Sequence, residues 1–83
     1  MIVEIEVCTK IDDEVIIAFA RLVPQLSKTS EPPSQNDLEE IISHCACSVL
    51  LARVEEKIVG SLTLVIFPLP TGKRAWIEDV VVD

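Results

Sequence analysis

The sequence predicts an α+β fold: a four-stranded antiparallel sheet with two helices packed on it, in the order β-α-α-β-β-β. Three observations predict it. Apolar residues alternate with period two at the start of the chain, and switch to helical spacing over two following stretches. They return to period two from Val49 onward. Only short turn sequences separate the last three period-two runs, which makes them consecutive hairpin strands rather than parallel ones.

Each element has its own warrant. Over Ile2–Cys8, Val3, Ile5 and Val7 point one way and Ile2, Glu4 and Glu6 the other, the period of a half-buried strand. Asp12 or Asp13 then offers an N-cap, with acids in the first turn where the helix dipole favours them. Val15, Phe19, Leu22 and Leu26 form one apolar helical stripe, backed by Ile16, Ala20 and Val23. Pro24 lacks an N–H, so that helix is expected to end or kink there. Ser27–Pro33 is a loop by composition. Ser34 with Asp37 three residues on is a variant capping box, and Leu38, Ile41, Ile42 and Cys45 make the second apolar helix face. Val49–Val54 and Ile58–Phe67 read as strands across Glu55-Glu56-Lys57, and Pro68–Lys73 is a turn into a final strand from about Arg74.

Eighty-three residues suit one small domain. Apolar residues make up 49% and the mean hydropathy is +0.44, so some apolar surface is expected to serve a partner or a missing segment. The net charge of −7, with no basic stripe, disfavours nucleic acid. No apolar run is long enough to span a membrane, since Leu62–Leu69 is about half the length needed. The start, Met1-Ile2-Val3-Glu4, lacks the basic region of a secretory signal. Cys8, Cys45 and Cys47 are an odd set with one close pair, which argues for reduced thiols in a cytoplasmic setting. His44-Cys45-Ala46-Cys47 has no distant second pair to complete a zinc site, so no metal is expected and buried thiols fit better.

The strand order, together with three stretches, resembles the first half of the GNAT superfamily of acyl-CoA N-acyltransferases. Those stretches are Arg21-Leu22-Val23-Pro24-Gln25-Leu26-Ser27, Ile58-Val59-Gly60-Ser61-Leu62 and the closing Trp76-Ile77-Glu78-Asp79-Val80-Val81-Val82-Asp83. The resemblance implies acetyl transfer from acetyl-CoA to a small-molecule or protein amine. It implies that backbone groups of Val80, Val81 and Val82 pair with the pantetheine arm, and that one N–H faces the thioester oxygen. Such a fixed donor typically lowers a barrier by ~3 kcal/mol. It makes Glu78 the general base, commonly through water, because an alkylammonium must lose a proton before it can attack. Asp79 is expected to be a structural residue.

The family's glycine-rich pyrophosphate turn, Arg/Gln-x-x-Gly-x-Gly/Ala, has no counterpart here. The two glycines, Gly60 and Gly72, fall in a strand and a hairpin turn, and there is no tyrosine. Residues 1–83 are therefore expected to be a partial domain that does not turn over alone, ending on an apolar strand as though cut or awaiting completion. A rival reading is a non-catalytic module that forms a homodimer or higher assembly through the bare final strand. A third is a chain shortened from a longer product.

Overall fold

The computed structural model describes residues 1–83 as β1 (Val3–Val7), α1 (Asp13–Leu26), α2 (Gln35–Ser43), β2 (Cys47–Val54), β3 (Lys57–Leu69) and β4 (Gly72–Val82). The four strands make one sheet in the order β1-β2-β3-β4, with every neighbouring pair antiparallel. The β-α-α-β-β-β expectation holds.

The caps explain where the helices start. The Asp12 side chain accepts from the Val15 N–H at 3.0 Å, resolving the choice of N-cap, and Asp13 and Glu14 occupy the first turn. At α2 the capping box is complete: Ser34 Oγ accepts from the Asp37 N–H at 3.1 Å and the Asp37 carboxylate accepts from the Ser34 N–H at 3.0 Å. These bonds hold the Asp37 carboxyl below the usual carboxylate range. α1 does not stop at Pro24; it runs on to Leu26, closed by the Ser27 N–H bonding the Val23 carbonyl at 2.9 Å. The proline sits in the last turn, so it removes one bond from a helix already ending.

The core lies between the helices and one face of the sheet. Val15, Ala18 and Leu22 of α1 and Leu38 of α2 meet Val49, Leu51, Ile58 and Val81 of the strands, and Cys8 and Ile11 close one end. Leu22, Leu38 and Leu51 are fully buried, each contributing about 2–3 kcal/mol of apolar transfer. The buried line on α1 is Val15–Ala18–Leu22, with Phe19 only partly covered. The methyl of Ala18 is small enough to let the helix sit close to the sheet. Three groups tie α1 to the end of β4. Arg21 Nε and Gln25 Nε2 donate to the Asp83 carboxylate at 3.0 and 2.7 Å, and Arg21 Nη2 donates to the Ile58 carbonyl at 2.5 Å. Gln25 and Arg21 together hold the Asp83 carboxyl below its ordinary range.

The second face of the sheet is bare. Register places Val3, Ile5 and Val7 opposite Val54, Ala52 and Leu50, on the side away from the helices. Ile5 is 63% exposed and Val3 and Val7 are about as open, so β1 is not half-buried as its alternation predicts. The acidic side of β1 is the one turned toward the helices. There Arg53 pairs with Glu6 and, at 2.9 Å, with Glu14 of α1, and these partners raise its already high pKa. Ile66, Ile77, Val80 and Val82 extend the exposed apolar surface along β3 and β4. No helix is long and apolar enough to cross a membrane.

Candidate functional site

The site begins with a break in the β3–β4 ladder. Ser61 pairs with Val81, and Thr63 pairs with Glu78, so Leu62 alone stands opposite both Asp79 and Val80. This two-against-one register is a β-bulge, and Asp79 takes it up at φ +53. Aspartate is among the residues that tolerate the left-handed region best, because its short polar side chain can bond locally.

The bulge resets which side chains face the helices. In an unbroken strand Glu78 and Val81 would point to opposite faces. With one extra residue between them, both share the face of their partners Thr63 and Ser61. Val81 joins the core at 9% exposure, while Val80 and Val82 turn to the bare face at 55% and 68%. Because β4 is the last strand in the sheet order, its outer backbone groups have no ladder partner. Gly60 makes room for this segment: a Cβ there would lie 2.8 Å from the Val81 carbonyl oxygen.

A cleft of about 470 Å³ opens beside the bulge, between the helices and the sheet. Phe19, Val23 and Leu26 of α1 and Leu38 and Ile41 of α2 form its apolar wall. Val49, Ser61, Thr63 and Val81 form its floor, and Glu31 and Asp79 stand at its rim. The loop between the helices closes one side through Ser27 and Ser30, whose hydroxyls bond each other at 2.9 Å.

The structure thus brings some of the expected residues together and separates others. Val81 lines the cleft, and Glu78 lies on the same face across from Thr63, where its carboxylate accepts from the Trp76 indole N–H. Asp79, read from sequence as structural, is the β4 carboxylate that lines the cleft. A signal for this exists in the chain. Two adjacent acids followed by three adjacent valines cannot alternate in an unbroken strand. Glu31 carries no such mark, since a loop acid is legible only once the loop is folded over the sheet.

The cysteines do not converge. Cys8 is buried, and burial pushes its thiol up. Cys45 lies beyond the end of α2 and is exposed, contrary to its expected place on the buried helix face, because the helix stops at Ser43. The Nδ1 of His44 accepts from the Ala46 N–H at 3.1 Å, folding this segment into a turn.

No family model matches the chain, and no curated protein matches it. Among solved structures, the chain is similar to an aminoglycoside acetyltransferase from an uncultured soil metagenomic sample, crystallised in complex with sisomicin. The identity is 27% and the TM-score 0.78, over 98% of this chain and 56% of that one. The chain therefore spans little more than half the length of this neighbour. In element order and sheet topology, the chain has the β-α-α-β-β-β fold of the first half of the GNAT acetyltransferases.

Proposed function

We propose that this chain is the amine-binding and pantetheine-binding half of an acetyltransferase that moves an acetyl group from acetyl-CoA to a small-molecule amine. The observation that carries the reading is the β4 bulge, set beside a cleft in a fold shared with an acetyltransferase. The outer edge of Val80, Val81 and Val82 offers unpaired backbone groups to an extended arm of the acyl donor, as an added strand would use them. One of those N–H groups would meet the thioester oxygen as negative charge builds on it.

In this reading the acceptor arrives as an ammonium and loses a proton, through water, to Glu78. The free amine nitrogen then attacks the thioester carbonyl carbon. The C–S bond breaks, and the thiolate leaves as the new amide forms. The proton lost by the tetrahedral nitrogen goes to solvent or to the departing sulfur. Residues 1–83 hold no glycine-rich turn of the kind that cradles a pyrophosphate, so the reading assigns them the pantetheine and amine contacts alone. Three unpaired cysteines fit the reducing cytoplasm as the setting.

Two measurements test this. Titrating the ¹⁵N-labelled chain with acetyl-pantetheine should move the amide signals of Val80–Val82, and unmoved signals there would refute the assignment. The purified chain at micromolar concentration should release no thiol from acetyl-CoA in the presence of amines. Turnover would show that the reaction does not need a glycine-rich pyrophosphate turn.

The bare sheet face and the free β4 edge favour a second reading, a homodimer that need not be catalytic. Light scattering should then give twice the chain mass, and Ile77→Lys should return it to one. A wild-type chain that stays monomeric at high micromolar concentration excludes this reading.

A further inference from the structure

We infer that the cleft selects a single ammonium group carried on an apolar body, an arylalkyl or branched alkyl amine, rather than a polycation. The inference rests on the reading of this cleft as the acceptor site and narrows it. Three observations support it.

The helix side of the cleft is apolar. Phe19, Val23, Leu26, Leu38 and Ile41, from both helices, form a surface suited to the hydrocarbon part of a ligand. Asp79 at the bulge and Glu31 on the loop are the two acids that line the cleft. Two carboxylates facing an apolar helix side match a ligand that carries an ammonium on an apolar body. A polycation with more ammonium groups than these two carboxylates would set the surplus against hydrocarbon, at a desolvation cost with no return.

The third observation is Ser61. It is 8% exposed and lines the cleft floor beside Thr63, and no hydrogen bond within the chain engages its hydroxyl. Such a hydroxyl is a place for a ligand donor. It sits across the ladder from Val81, two residues beyond Asp79. An ammonium has three donors, and Asp79 and Ser61 can accept from it on adjacent sides.

The test is binding to the 83-residue chain, with no acyl donor present, followed by ¹⁵N NMR. The ligands are 2-phenylethylamine, its neutral counterpart 2-phenylethanol, and spermidine. The amine should shift the amides of Val23, Ser27, Thr63 and Val81, and bind about tenfold more tightly than the alcohol, as expected for one charge-assisted hydrogen bond. Asp79→Asn should erase most of that preference by weakening the amine far more than the alcohol. Asparagine tolerates the same left-handed backbone, so the bulge survives the change.

Equal affinity for amine and alcohol would overturn the inference. So would spermidine binding as tightly as phenylethylamine, or shifts confined to the bare face around Ile5 and Leu62. The two readings fail separately. Silence of Val80–Val82 toward acetyl-pantetheine counts against acyl transfer alone, whereas loss of the monoamine preference counts against the substrate class alone.

Discussion

Gly60→Ala tests the geometry that places β4 where it is. The added Cβ would lie 2.8 Å from the Val81 carbonyl oxygen and 3.4 Å from Val82 Cγ2. A comfortable carbon–oxygen contact is about 3.3 Å, so the strands must separate by roughly 0.5 Å at this point. The obstacle is main chain, so no side chain can swing away to absorb the strain. Overpacking of this kind costs about 1–3 kcal/mol. Against it stands a gain of about 0.4–1 kcal/mol, because alanine loses less backbone freedom than glycine on folding. That gain applies because Gly60, unlike Gly72 at φ +125, does not occupy the left-handed region. The net expectation is a loss of about 1–2 kcal/mol, or roughly 5–15 °C in Tm for a domain of this size. Urea and thermal melts followed by circular dichroism measure it. Hydrogen exchange should show the loss of protection concentrated at Val81, Val82 and their β3 partners. A variant that melts at or above the wild-type temperature would refute the close approach, because the entropy gain would then stand alone.

Other perturbations probe separate parts of the argument. Glu55 and Glu56 form the β2–β3 turn with φ of 50 and 70, a mirror-image turn that favours Asn-Gly. The double change Glu55→Asn/Glu56→Gly should raise the urea midpoint by the equivalent of about 1–2 kcal/mol. Ser34→Ala removes the α2 cap and should cost about 1 kcal/mol in the same assay. Asp37 and Asp83 both have folded pKa values below their unfolded ones, so their contribution is present above about pH 4 and fades as pH falls through the lower, folded values. Tm should therefore drop between about pH 5 and 2, and Asp37→Asn should flatten part of that drop. Maleimide labelling read by mass spectrometry should modify exposed Cys45 first and buried Cys8 last, with Cys8 reacting only as the chain unfolds.

Much of the fold was legible because local rules agreed along the chain. Asp12, and Ser34 with Asp37, announce the two helix starts, and the switch from helical to two-residue spacing announces the strands. Cys45 falls on the apolar spacing of α2, but the helix stops at Ser43, before that position is reached. Ala18 was overlooked because hydrophobic stripes are counted by large side chains, although a small one at a close helix–sheet contact is just as buried. For the site, Glu78-Asp79 was visible as a pair of strand acids, but which of the two lines the cleft depends on one bulged residue. A shift of one position moves a side chain to the other face.

The bare sheet face shows where periodicity stops being informative. Alternation in β1 establishes that Val3, Ile5 and Val7 share a side and that Glu4 and Glu6 share the other; it does not say which side meets the helices. The usual rule puts the valines inward. Here the cross-strand partners decide instead. Glu6 lies beside Leu51, a core residue, and Ile5 beside Ala52, so β1 must follow the register of β2 wherever that leads. β2 has already committed Val49 and Leu51 to the helices. Placing Glu4 and Glu6 on the helix side would be unfavourable if they were left unpaired, and Arg53 offsets it by reaching Glu6 and Glu14 at once. That arrangement turns a row of β-branched side chains outward, continuous with Ile77, Val80 and Val82 at the far edge. The mean hydropathy of +0.44 is thus accounted for by position as well as amount. The sheet has apolar residues for two covered faces, and its two helices cover one.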